Sequence, residues 1–123
     1  MKPSDIYCEK ILTWKLQVEI VKETPNILVF KHTHPYWETH LVAIPKKHIE
    51  SLTKISQADI EIVNELMNVI AEVSSEIEST HGGCRVSTNI GSYQSSKHLH
   101  FYIHSGKRLR DEDGSLVDSP HTD

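Results

Sequence analysis

The sequence predicts an antiparallel α+β domain: one five-stranded sheet, a short N-terminal helix and one long helix. Three observations predict it. Short apolar or alternating runs are separated by turn residues, which marks strands joined by hairpins. A single long run carries apolar residues at helical spacing between a start and a stop signal. The segments follow one another as helix, three strands, helix and two strands, and links this short suit an antiparallel sheet rather than a doubly wound one. A chain of 123 residues fits one domain.

Asp5 can cap a short helix over Ile6 to Leu12. Leu16, Val18 and Ile20 alternate with Gln17 and Glu19 as a half-buried strand. Thr24-Pro25-Asn26 is a turn, and Ile27 to Phe30 returns as an apolar strand, giving a hairpin. Lys31 to Thr39 reads as a loop. His40 to Ile44 is the third strand, stopped by Pro45. Ser56 as N-cap and Asp59 at the third helical position form a capping box, with Ile55 and Ile60 placed as a hydrophobic staple. The long helix then runs from about Gln57 to Thr80, with Ile60, Val63, Met67, Ile70 and Ile77 as its expected core stripe. Gly82 and Gly83 stop it. Cys84 to Asn89 is a fourth strand, Ile90 to Ser96 a loop, and His98 to His104 a fifth strand. Residues 1–110 make the domain, and 111–123 a polar C-terminal tail.

Composition narrows the function classes. The formal charge of −4, with no basic face, argues against a nucleic-acid surface. No apolar run approaches the roughly 20 residues of a membrane span, and the first residues lack the basic-then-apolar order of a signal peptide. Cys8 and Cys84 form neither a CxxC pair nor a disulfide framework, so a reduced cytoplasm is expected. Histidine is the anomaly. Seven of the nine fall in two groups, His32, His34, His40 and His48, then His98, His100 and His104. This is the side chain that titrates near neutrality.

Alternation puts His98, His100, Tyr102 and His104 on one strand face and Leu99, Phe101 and Ile103 on the other. The apolar face can pack on the long helix while the histidine face looks into a polar pocket. A neutral imidazole is a good nucleophile near pH 7 and can attack phosphorus. Its other ring nitrogen needs an acceptor to hold the tautomer. A bland alternative, polar residues on an exposed strand face, accounts for the same alternation.

The segment HLHFYIHSG, from His98 to Gly106, resembles the signature of the histidine-triad family, in which histidines alternate with apolar residues. THLVAIPKKHI and RVSTNIGSYQSSKHLH resemble two further blocks of its Hint-like branch, in the right order. The resemblance runs from about Asp5 to Arg110. It implies a five-stranded antiparallel sheet with two helices, a homodimer, and binding or cleavage of purine nucleotides, including nucleoside phosphoramidates, at the α-phosphorus. It places the nucleophile on His100, the first motif histidine on His98 and a supporting histidine on His40. It matches Asn89, Gln94 and Ser95 to phosphate or leaving-group contacts. Two positions depart from it. Tyr102 stands where the family has its third histidine, and His32 where the Hint-like branch has a ribose-binding aspartate.

Tyrosine, with a pKa of about 10, donates hydrogen bonds but shuttles protons poorly at pH 7. A nucleotide-binding module with weak or no catalysis is therefore the alternative to a hydrolase or nucleotidyl transferase. No cofactor is expected to be required. His98 and His100 could place two imidazoles near one zinc ion, but a closed site needs about four ligands and no third has motif spacing. Lys46, Lys47, Lys107 and Arg108 could attract phosphate, although solvated charged turns explain them equally.

Overall fold

The structure, a computed structural model, describes residues 18–111 and 113–116. The expected helix over Ile6 to Leu12, the first residues of the expected first strand, and Cys8 lie outside the described residues. Five strands pair antiparallel: β1 (Ile20–Glu23), β2 (Ile27–Lys31), β3 (Trp37–Pro45), β4 (Arg85–Ser87) and β5 (Phe101–Arg108). Their order across the sheet is β1-β2-β3-β5-β4. The long helix α1 (Ile60–His81) crosses one face. This is the predicted fold class. No helix among the described residues is long and apolar enough to cross a membrane.

The helix forms where its signals stand. A 3-10 turn over Gln57–Asp59 leads into α1, and the Asp59 carboxylate accepts from the Ser56 amide (3.1 Å) and the Ser56 hydroxyl (2.9 Å). Gly82 closes the helix at φ 91°, a left-handed conformation in which a Cβ would be strained. The stripe that faces the sheet is Leu66, Val69, Ile70, Val73 and Ile77. Ile60 and Met67, expected in the core, are 43% and 40% exposed. The two stripes share Ile70 and Ile77, and the buried one is turned about a fifth of a turn around the helix from the expected one.

Strand limits also shift. β1 lies later than the Leu16-Val18-Ile20 alternation suggests, because the Thr24–Asn26 turn brings Ile20, Lys22 and Glu23 opposite Phe30, Val29 and Leu28. α1 clamps that turn. Glu65 accepts from the Thr24 hydroxyl (2.5 Å), the Asn26 amide (3.1 Å) and the Asn26 side chain (2.9 Å). β3 begins at Trp37, inside the expected loop, because β5 extends to Arg108 and pairs with it. The register slips between Trp37 and Thr39. Gly106 sits there at φ 88°, where an added Cβ would lie 2.7 Å from Glu38 Oε1. The Glu38 carboxylate in turn accepts from the Lys107 amide (2.8 Å). This bulge makes room for the Trp37 indole over the sheet end.

The centre of the sheet is buried on both sides, while the edge strands β1 and β4 are largely exposed. Ile27, Val29, Leu41, Ala43, Leu99, Phe101 and Ile103 join the α1 residues in one core. Leu28, Phe30, Val42 and Ile44 form a second cluster on the opposite face, with Tyr102 packed against it. After β5 the chain turns back: Arg110 bridges to Leu116, and the Asp111 amide bonds the Ser115 carbonyl at 2.8 Å.

Candidate active site

β5 begins at Phe101, so His98 and His100 precede the strand instead of opening it. They are nonetheless held in place by side-chain and loop partners. The Leu99 amide donates to the Ile49 carbonyl at 2.6 Å. The Thr88 hydroxyl donates to the His100 carbonyl at 2.6 Å. The Gln94 side-chain amide spans the Glu50 carbonyl (2.8 Å) and the Ser96 carbonyl (3.1 Å). Leu99 thus keeps its place in the core, and the flanking histidines turn to the other side.

His100 is 1% exposed. Its Nδ1 lies 2.8 Å from the His98 carbonyl oxygen. A carbonyl only accepts, so Nδ1 carries the proton, and in the neutral ring Nε2 holds the lone pair. His98, 0% exposed, is oriented the same way by its own bond, Nε2 to the Pro45 carbonyl at 2.8 Å. Its ring meets His48 edge-on at 5.3 Å.

Tyr102 follows on the same face as His100, their rings 5.2 Å apart. Beyond it lie His40, T-shaped to Tyr102 at 4.9 Å, and His32, stacked on His40 at 4.3 Å. His40 Nδ1 accepts from the Tyr36 amide at 3.0 Å, so Nε2 bears its proton. That Nε2 is buried with no hydrogen-bond partner among the described residues. His32 Nδ1 accepts from the His34 amide at 2.9 Å. Burial, then the neighbouring His32 and His104, lowers the His40 pKa to about 3. Burial, then His34 and His100, lowers that of His32 to about 4. Both rings are neutral hydrogen-bonding groups at pH 7. A cavity of about 200 Å³ opens beside them, bordered by Lys31, Pro35 and Glu38.

The residues singled out from sequence thus separate. His100, Tyr102, His40 and His32 form one chain of rings, and His98 joins it through its backbone carbonyl. His104 is not at its centre. It stacks on Trp37 at 3.7 Å, with the Arg108 guanidinium 5.5 Å from the indole. Asn89 is half-buried and Ser95 exposed in the loops around the 98–100 segment, and Gln94 holds the loop itself. Lys46 and Lys47 are ion-paired to Glu23 and Asp59, each at 2.6 Å. No group of three or more histidine, cysteine, aspartate or glutamate side chains suited to a metal ion occurs among the described residues. Sequence reasoning missed Thr88, Pro45 and Tyr36. Two of them act through backbone atoms, which carry no residue signature.

The arrangement offers a nucleophilic nitrogen of fixed tautomer, a phenol beside it and two neutral imidazoles behind. The chain is similar to known proteins. The family described as "Scavenger mRNA decapping enzyme C-term binding" matches residues 5–114. An uncharacterized HIT-like protein of Rickettsia prowazekii is 37% identical over 103 residues, 81% of this chain and 86% of that one. A histidine triad protein from Clostridium difficile superposes with a TM-score of 0.73 at 33% identity, covering 90% of this chain and 98% of that one. A HIT family hydrolase from Clostridium thermocellum gives 0.74 at 25% identity, covering 86% and 93%.

Proposed function

Because the chain belongs to the histidine-triad family, we propose that it is a hydrolase or nucleotidyl transferase that cleaves a nucleoside phosphoramidate or related purine nucleotide at the α-phosphorus. The observation that carries the reading is the bond from His100 Nδ1 to the His98 carbonyl. It fixes the tautomer and leaves the lone pair on Nε2, the ring nitrogen not used in that bond.

In the first step the His100 Nε2 lone pair forms a bond to phosphorus, and the bond to the leaving group breaks with its electron pair, a departing amine taking up a proton from solvent. The nucleotidyl-imidazolium that results keeps its Nδ1 proton, and the His98 carbonyl oxygen stabilises the new positive charge. Water then attacks phosphorus, the P–N electron pair returns to Nε2, and the water proton passes to solvent. Tyr102 and the His40 Nε2–H are donors for the oxygens that gain charge. Asn89, Gln94 and Ser95 are proposed phosphate or leaving-group contacts, and His32 a contact to the ribose. No cofactor takes part in this scheme.

The test is release of AMP from adenosine phosphoramidate and from the nitrophenyl ester of AMP, followed by chromatography. The unaltered protein should release AMP and His100→Ala should not. Full activity in His100→Ala would sink the mechanism. Tyr102 in the third triad position favours a second reading, a nucleotide-binding module. That reading predicts AMP-induced thermal stabilisation with no product from either substrate.

A homodimer in the cytoplasm completes the proposal. The second copy would cover exposed apolar residues such as Ile60 and Met67 on α1 and Val86 on the edge strand β4.

A further inference from the structure

On the hydrolase reading the leaving group departs with an electron pair, and its need for a proton decides which substrates react. We infer that Tyr102 makes this site selective for leaving groups that depart as stable anions. Phosphoanhydrides and acyl-phosphate mixed anhydrides are then favoured over phosphoramidates and alkyl esters. The inference rests on the hydrolase reading and narrows it.

The residue two positions after the nucleophile shares its face and is the nearest neighbour along the chain that reaches a group held on His100. That residue is Tyr102, 5.2 Å from His100 between ring centroids. Its phenol, with a pKa of about 10, holds its proton at pH 7. Giving it up would create a phenolate packed against Leu28, Phe30, Val42 and Ile44, in surroundings that disfavour charge. The hydroxyl suits a hydrogen bond to phosphate oxygen better than proton transfer.

The rings behind it do not supply the proton. His40 takes the Tyr36 amide proton on Nδ1, and His32 takes that of His34. Protonating either ring would place N–H against N–H. Burial holds both neutral, with pKa values of about 3 and about 4. A neutral imidazole N–H donates a hydrogen bond and not a proton. The remaining groups stand apart from the His100–Tyr102 pair: His98 Nε2 is directed to the Pro45 carbonyl, His48 meets the ring of His98, His104 lies against Trp37, and Lys46 and Lys47 are ion-paired to Glu23 and Asp59.

The chemistry follows. With an anhydride, the His100 N–P bond forms, the P–O bond breaks, and phosphate or carboxylate leaves carrying the electron pair and no proton. With a phosphoramidate, the breaking P–N bond requires a proton on nitrogen, and Tyr102 is a poor source of it.

The experiment measures kcat/KM for aryl esters of AMP whose phenols differ in acidity, with adenosine phosphoramidate alongside. The unaltered protein should slow steeply as the phenol becomes more basic. It should cleave the phosphoramidate at least about 100-fold more slowly than the nitrophenyl ester, the lower range of what a general acid contributes. Tyr102→His should flatten the series, gaining roughly tenfold or more on basic leaving groups and little on acidic ones. Tyr102→Phe keeps the ring and should keep the slope. A shallow slope in the unaltered protein overturns the inference whether or not the variants fold, and so does an unchanged slope in a folded Tyr102→His. AMP from none of the substrates would strike instead at the hydrolase reading beneath it.

Discussion

The face of the sheet that meets α1 carries Ile27, Val29, Leu41, Ala43, Phe101 and Ile103, whereas the opposite face sets His40, His100, Tyr102 and His104 beside Leu28, Phe30, Val42 and Ile44. Both faces are buried, but they spend that burial differently. On the helix side the buried contacts are apolar, and stability grows with the area removed from water. On the histidine side, buried polar rings cost desolvation that hydrogen bonds only partly offset. His98, His100, His40 and His32 each use one ring nitrogen on a backbone carbonyl or amide. That spends the nitrogen on orientation and fixes the chemistry of the other. One face holds the fold, and the other is held by it in a fixed protonation pattern.

The comparison can be broken most forcefully at His100. His100→Ala should lower kcat/KM by roughly 10⁴-fold or more, the scale seen when a nucleophile is removed, while nucleotide binding, measured by calorimetry, persists. A variant that keeps turnover would move the chemistry off this face.

Leu66→Ala is the counterpart on the helix side, since Leu66 is fully buried. It should cost about 2–5 kcal/mol in denaturant unfolding and leave the pH profile of turnover unaltered. A shifted profile would mean the two faces are coupled.

Acid sharpens the contrast further. His32 and His40 titrate at about 4 and about 3 in the fold and near 6.5 when unfolded. Below about pH 6.5 the unfolded chain binds protons that the fold refuses, so stability falls as pH drops toward 4. Melting temperature against pH should show this slope, and replacing both rings by glutamine should flatten it. An unchanged slope would assign the acid response elsewhere.

The smallest effect belongs to the cap of α1. Bonds from Lys47 and then Ser56 lower the Asp59 pKa to about 2. Its contribution is complete above the unfolded value of about 3.9 and is lost as pH falls through about 2. Asp59→Asn should therefore lower the melting temperature at pH 7, with the difference from the unaltered protein closing across that window.

Local signals were enough for the parts of this protein that depend on local physics. The cap at Ser56 and Asp59, the stop at Gly82, the turn at Thr24 to Asn26 and the succession of strands and long helix along the chain could be read from residue type and spacing. So could the alternation that separates His100 and Tyr102 from Phe101 and Ile103. Tertiary structure decided the rest, because each remaining question turns on a partner distant in sequence. Pairing with Arg108 starts β3 at Trp37. The sheet chooses Leu66, Val69 and Val73 over Ile60 and Met67. Ile49 and Thr88 hold the 98–100 segment ahead of its strand. The Tyr36 amide chooses the tautomer of His40, and the stack with His32 helps keep that ring neutral. Periodicity states which residues share a face; only what packs against that face determines whether it becomes core, site or surface.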